Sequence, residues 1–487
     1  MSEICFRRVW FLAITIFGMA CSSVGFAAET QIDLELEEIY STNITLVPDD
    51  IAFSDFVTRI SPSLLYTKDG RVIDFSVDYN YEIFIYANNS DLNQDFHQLD
   101  TTALAHVIGD ELTVSGQAIY TQVNIDPTRP PSDSNISVTG NRSNGLYWGI
   151  TPQWQRQLPL KSIVDVNYTF GRISYDDPGI QELDTQTLAF SLASDPKAGL
   201  STTYELNYNY WFFDYETTGS IRDQNLYFSL GQEIGYGFSL VGLVGLDSDF
   251  TDPDNSTLSE GRWEVGFESA DEDGHLRAMI GRRYFGTVLR FSAGRTFADW
   301  YFSASYLEEP GTSESVFLQT GGTELPTEGD SSSPEPPPPS TIDRPGSAAR
   351  FLRKRLDGIV QWEGRRSEIN FTTWWDQRDN LSGNPDAGID LPADDESVGA
   401  ILSYEWEIGG HTTASLTSSW IRRKFTEADD QTTFDEIDNW QFGAGVSYLL
   451  GLKTSLGSVL TYRKSRGDAT GDNYTEFQAA INLTRSF

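Results

Sequence analysis

N-Y-T-E-F-Q-A-A-I-N-L-T-R-S-F, residues 473–487, closes the chain and decides how the rest of it is read. Phe477, Ala479, Ile481, Leu483 and Phe487 recur at a spacing of two, with Glu476, Gln478, Asn482, Thr484 and Ser486 between them. Side chains of a strand point alternately to its two faces, so this is a strand with one apolar and one polar face. An ordinary strand of a soluble sandwich satisfies that pattern. So does a strand of a membrane barrel, with lipid on one face and a wet lumen on the other. The remainder of the chain has to separate the two.

Its beginning has the plan of a secretory signal peptide over residues 1–27. Arg7 and Arg8 supply the positive region, Val9 to Ala20 the apolar core, and Gly25-Phe26-Ala27 a small-x-small site that places cleavage after Ala27. A cut after Ala28 would put Phe26 in the small position. Gly18-Met19-Ala20-Cys21 resembles a lipoprotein motif, except that Gly18 stands where a Leu-like residue belongs. Cys5 and Cys21 both lie in this segment, so the processed chain carries no cysteine. Disulfides, thiolate metal sites and a cysteine nucleophile are thereby excluded together.

Composition then narrows the class. No later stretch reaches the ~18 apolar residues of a membrane-spanning helix, and mean hydropathy is −0.36. A barrel escapes that test because only alternate residues meet lipid. Aromatic residues are abundant (Phe 29, Tyr 22, Trp 12), and net charge is −37, or −38 once Glu3, Arg7 and Arg8 are removed. Nucleic-acid binding needs Lys and Arg to replace counterions, so this balance argues against it. It also predicts that a lumen lined by this chain favours cations, and disfavours a wide passive duct for anionic polymer unless divalent ions intervene.

Period-two segments run through the whole processed chain. Ile73, Phe75, Val77, Tyr79, Tyr81, Ile83 and Ile85 alternate with Asp74, Ser76, Asp78, Asn80 and Glu82. Leu200–Phe212, Val398–Ile408 and Trp440–Tyr448 repeat the plan, each near the ~9–11 residues of a tilted membrane strand. The connections alternate too. Short turns such as Lys68-Asp69-Gly70, Gly235-Tyr236-Gly237 and Gly409-Gly410 are interleaved with long acidic or Asn/Pro-rich loops such as Asn124–Asn144 and Arg378–Glu396. Short periplasmic turns and long extracellular loops define an up-and-down membrane barrel. The expected fold is therefore all-β, an antiparallel transmembrane barrel over residues 28–487 with about 22 strands (18–22 if weak segments drop out). The weakest link is Tyr284–Thr287, very short for an outer loop. Ser331–Pro345 is too proline-rich for a strand. It falls within a Pro-rich extracellular loop over 310–349 rather than at a domain boundary, since open half-barrels would leave unpaired edges in lipid.

In this setting the final strand also resembles the signal read by the bacterial barrel-assembly machinery, with Phe477, Ile481, Leu483 and Phe487 as its apolar positions. Arg485 departs from that signal, standing where an apolar residue is usual.

Candidate chemical sites are few. His97, His106, His275 and His411 show no metal-ligand spacing, no nucleophile elbow is present, and no cofactor site is read. A loop beginning at Asp247 has a calcium-loop look, but Asp252 occupies the turn-glycine position and Leu258 the final glutamate position. Arg350–Leu356 (R-F-L-R-K-R-L) is the one basic cluster, and Arg282-Arg283 is a smaller one. Arg353, Lys354, Arg355, Arg282 and Arg283 are the candidates for contacts with lipid phosphates or for lining a pore mouth, beside the plain reading of interfacial anchors.

Thr139-Gly140-Asn141-Arg142, Trp263-x-Val265-x-Phe267 with Gly281-Arg282-Arg283-Tyr284-Phe285-Gly286, Ser303-x-Ser305-Tyr306-x-Glu308-Glu309, Phe351–Leu356 and Asp472–Glu476 run in order along the chain. In these stretches it resembles the outer-membrane proteins associated with PEP-CTERM/exosortase systems. That resemblance implies a role in exporting or assembling surface polysaccharide or sorted proteins, and carries over no catalytic residue. The expectation is a non-enzymatic channel or assembly component of the bacterial outer membrane. Its expected partners are outer-membrane lipid, the barrel-assembly machinery and exopolysaccharide or its export machinery. A general cation-preferring porin is the alternative, followed by a barrel-embedded hydrolase and a structural barrel without an open lumen. The few residues between Ala27 and the first strand leave no room for a plug domain.

Overall fold

A computed structural model describes residues 28–126, 135–235, 237–248, 257–271, 273–312, 349–381, 394–426, 433–467 and 473–487. The signal peptide with Ala27, residues 313–348 of the Pro-rich loop and positions 252 and 254 of the calcium-like loop lie outside the described residues.

The strands, in chain order, are β1 (Ala28–Ser41), β2 (Asp55–Lys68), β3 (Ile73–Tyr86), β4 (Gln94–Ile108), β5 (Leu112–Asn124), β6 (Arg142–Leu158) and β7 (Ser162–Tyr175). They continue with β8 (Leu183–Ser194), β9 (Thr202–Tyr215), β10 (Gly219–Gly235), β11 (Phe238–Ser248), β12 (Leu258–Ala270), β13 (Gly274–Arg283), β14 (Gly286–Phe297) and β15 (Trp300–Thr312). The last seven are β16 (Arg350–Glu363), β17 (Ser367–Asn380), β18 (Asp394–Gly409), β19 (Thr412–Thr426), β20 (Thr433–Gly451), β21 (Thr454–Gly467) and β22 (Tyr474–Ser486).

They form one 22-stranded antiparallel sheet in which each strand pairs with its chain neighbours. Pairing of β1 with β22, from Asp33↔Ser486 to Ser41↔Gln478, closes the ring. Closure is what makes a sheet tolerable in lipid, because no strand edge is left with unpaired N–H and C=O groups. The backbone amide of Phe487 extends the seam by donating to Ile32 O at 2.9 Å.

The register confirms the period-two reading residue by residue. On β22 the Phe477, Ile481, Leu483 and Phe487 side chains are all exposed to the outside of the ring. Arg485 lies on the same outer face, its guanidinium 5.6 Å from the centre of the Phe487 ring. Across the seam the inward-facing Asn482 pairs with Glu37, and Glu37 with Arg59 of β2. One face thus meets lipid and the other the bore.

The two ends of the ring differ. At the turn end the connections are a few residues long, and those at Leu160-Lys161 (φ 67° and 58°) and Ala298 (φ 49°) are made without glycine. At the loop end the connections are mostly longer, with two exceptions, of which the three-residue Glu216-Thr217-Thr218 link between β9 and β10 is one. β13 and β14 are joined through Tyr284-Phe285 alone, and Gly286 at φ 133° completes the hairpin. The doubtful short outer loop is therefore real. By the rule that long loops lie outside, the loop end is extracellular and the turn end periplasmic.

Candidate functional site at the loop end of the lumen

Charge lines the inward face of the wall in an order that the strand register sets. On β15–β19 the inward rows at the loop end bring together Arg353, Arg355, Asp376, Arg378, Asp395 and Arg423. Arg353 donates to both oxygens of Asp376, at 2.6 Å from its terminal nitrogen. Arg355 is held by Asp357 at 2.9 Å and lies 3.7 Å from Asp376. A second set spans β11–β14. Arg262 reaches Glu264 (2.7 Å) and Asp247 (3.3 Å), Arg283 reaches Asp247 (2.7 Å), and Arg290 lies 3.7 Å from Glu264. Side chains of Arg262 and Asp376 are both 0% exposed. A third set joins the seam, where Arg463 and Ser41 both donate to Glu476. Charges this deeply buried must be paired, and each set is.

Facing these arginines is an apolar wall. Tyr147, Ile173, Leu183, Phe213, Tyr215 and Ile221, inward residues of β6–β10, form one buried cluster with Tyr175 and Ile180. Tyr284 of the β13–β14 hairpin and Leu381, just beyond β17, pack against that cluster. β17 stands eleven strands from β6 in a ring of 22, directly across the bore. Twenty-two strands about 4.8 Å apart and tilted by ~40° would enclose a circle roughly 44 Å across between backbones. For Leu381 to reach the β6–β10 cluster in such a ring, the connections at this end must lean inward over the bore. A smaller cluster closes the seam side, where Ile39, Ile44, Val57, Phe84 and Tyr86 are buried with Ile136 and Val138 against them. The Tyr86 hydroxyl donates to Ile136 O at 2.6 Å, and Val138 N donates to Ile44 O at 2.8 Å.

The turn end is unlike this. Asp33, Glu35, Asp78 and Asp100 line an open recess of ≈ 810 Å³ with Arg59, Ser61 and Asn80. On the loop-end side of that recess, one row from the seam-side cluster, Arg59 is shared among Glu35 (3.0 Å), Glu37 (2.8 Å) and the buried Glu82 (2.9 Å). Asp165, Glu205, Glu233, Glu268 and Glu405 continue the acidic lining around the turn-end half of the wall, none of them buried.

Strand alternation splits the two basic clusters read from the sequence. Arg353 and Arg355 face the bore and are buried at its loop end, the position of a pore mouth. Lys354 faces outward but is held by Asp379 at 2.6 Å. Arg283 turns inward to Asp247 while Arg282 is exposed on the outer face. The four histidines are dispersed. His97 stacks on Tyr81 on the outer face, His106 lies 3.1 Å from Asp74, and no group of three metal-ligating side chains occurs among the described residues. Arg262, Asp376, Arg378 and Arg423 were not singled out by sequence. Their signal is a charged residue in the inward phase of a strand otherwise rich in aromatics.

No protein-family model and no curated protein matches the chain. Among solved structures it is similar to a ferric enterobactin receptor (PfeA) of Pseudomonas aeruginosa, at a TM-score of 0.50 and 12% identity, over 96% of this chain and 81% of that one. A siderophore receptor (PirA) of Acinetobacter baumannii gives 0.50 and 8% over the same shares. Identities this low make the likeness one of fold. With the closed ring, the outward apolar band and these neighbours, the chain is a 22-strand β-barrel of the bacterial outer membrane.

Proposed function

We propose that this barrel is a non-enzymatic, gated conduit that serves export or assembly of surface polysaccharide, shut at its extracellular end in the conformation described. The observation that carries the reading is the packing of Leu381, beyond β17, and of Tyr284, in the β13–β14 hairpin, onto the buried cluster of the β6–β10 wall. A diffusion pore gains nothing from burying aromatic side chains over its own mouth. A conduit that must stay sealed until cargo and export machinery engage it needs such a seal. Behind the seal the wall offers what a carbohydrate chain requires, namely Asn, Ser and carboxylate groups for hydroxyls on a hydrated surface. The polysaccharide assignment itself is supported by the sequence resemblance to PEP-CTERM/exosortase-associated barrels.

Planar-bilayer recording tests the seal. The wild-type barrel should conduct weakly, and Tyr284→Ala with Leu381→Ala should raise conductance as the hydrophobic constriction opens. Equal, large conductance in both would overturn it. Loss of surface polysaccharide on gene deletion, with small-solute uptake unchanged, is the expected cellular result. A second reading, a cation-preferring porin, draws on the Asp33–Asp78–Asp100 lining. It requires the wild-type channel to be open and the deletion to lower solute uptake.

A further inference from the structure

On the outer face of β18–β22, above the lipid band, the register stacks three kinds of row. The lowest rows are apolar. Leu402, Leu416, Phe442, Ala444, Leu460 and Phe477 surround a groove of ≈ 500 Å³, shallow where Ser418 and Ala444 are small. One row towards the loop end, Trp420 and Trp440 stand side by side with centroids 5.8 Å apart, next to Lys464. The row beyond is Arg422, Asp438 and Arg466, with Lys424 and Glu436 above it. Tyr448 marks the opposite aromatic rim. Eight residues of strand from Trp440 span roughly 26 Å, or ~20 Å along the membrane normal at ~40° tilt. That approaches the ~25 Å apolar band of outer-membrane barrels, which puts the cationic row at headgroup depth.

Outward cations elsewhere on this rim are either neutralised or stand singly, as Arg222 over the Phe212 ring and the exposed Arg282 do. Arg172 is paired with Glu182 and Asp184, and Lys354 with Asp379. On β19–β21 the balance is different. Arg422 is fixed by two 2.9 Å hydrogen bonds to Asp438, which also accepts from Trp420 Nε1 at 3.1 Å. Lys424 approaches Glu436 only at 3.8 Å, and Lys464 and Arg466 form no salt bridge among the described residues.

We infer that this face binds one phosphorylated, multiply acylated lipid of the outer leaflet. Lys424, Lys464 and Arg466 hold its phosphates, Arg422 is the fixed cation beside them, and one acyl chain lies in the groove below the tryptophans. The vertical order cation, indole, apolar groove matches the order phosphate, sugar or glycerol, acyl chain in such a lipid. Neither half alone would do this, since a free anion needs no groove and an apolar chain needs no cations. The inference does not depend on what passes through the bore.

Native mass spectrometry of the intact barrel, purified in mild detergent and incubated with bisphosphorylated lipid A, tests it. Wild type should retain the lipid, and Lys424→Gln/Lys464→Gln/Arg466→Gln should weaken retention by about a hundredfold, the loss of three cations near a lipid phosphate surface. Ser418→Phe, which fills the groove and spares the cations, should also reduce retention. Removing one lipid phosphate should have an effect intermediate between wild type and the triple variant. A heat-modifiable gel shift verifies that each variant is folded. Retention unchanged in both variants would overturn the inference. So would displacement of lipid by inorganic phosphate as effective as that by lipid A, which would make this a site for free anions.

Discussion

The two halves of the lumenal wall are made by the same strands and behave as different materials. Towards the turn end the inward carboxylates Asp165, Glu205, Glu233, Glu268 and Glu405 are at least partly wet, and the buried inward residues there, Val241 and Ile359, are apolar. Towards the loop end the inward residues are arginine–carboxylate sets and aromatic side chains, many fully buried. A few residues along one strand separate the two. On β17, Asn370 belongs to the first half and Asp376 to the second. The contrast is one of charge: the buried ion pairs belong to the loop-end rows and the exposed inward carboxylates to the turn-end rows. Where an inward charge loses water at the loop end it needs a partner, which the exposed turn-end carboxylates can omit.

The largest test of that contrast removes a partner from the dry half. Asp376→Ala leaves the Arg353 and Arg355 guanidiniums without their shared carboxylate, and should destabilise the barrel by about 3–5 kcal/mol, read as a lower urea midpoint in lipid vesicles. Asp78→Ala in the wet half should leave the midpoint unchanged. Phe213→Ala should cost about 3–5 kcal/mol as a buried aromatic deletion, and should raise bilayer conductance because it hollows the cluster that Tyr284 and Leu381 pack against. Gly399→Val is smaller. The Trp374 indole lies against Gly399 where a Cβ would sit, so the ring must shift, at about 1–3 kcal/mol by overpacking. The smallest effect belongs to the open half. Asp33→Asn, Asp78→Asn and Asp100→Asn together should move the reversal potential of any residual conductance towards zero without altering the gel shift of the folded barrel.

Much of this architecture was legible in the residues. The alternation Ile73-x-Phe75-x-Val77 names the lipid face of β3, and Phe477-x-x-x-Ile481 that of β22, because lipid rejects polar groups more strictly than any core does. Two turns gave less warning. Leu160-Lys161 and Ala298 adopt positive φ without glycine, since hairpin closure by the flanking strands overrides the local preference. The basic run R-F-L-R-K-R reads as one patch in a string but cannot be one in a strand. Period two sends Arg353 and Arg355 to the bore and Lys354 to the membrane side. Conversely, the patch on β19–β21 joins residues some forty positions apart, and only register brings Arg422 beside Asp438 and Arg466. The seal was not legible at all. Tyr284-Phe285 stood out merely as an outer loop too short for its place, and its packing against the β6–β10 wall is a property of the closed ring.

The central claim is that the extracellular end is shut by contact across the bore, and the absence of cysteine from the described residues allows a direct measurement. A single cysteine at Ser63, inward and in the turn-end half, is exposed on intact cells to a membrane-impermeant maleimide. Slow or absent labelling in the otherwise wild-type barrel, made rapid by Tyr284→Ala with Leu381→Ala, is the predicted result. Rapid labelling of Ser63→Cys from outside with Tyr284 and Leu381 intact would contradict it.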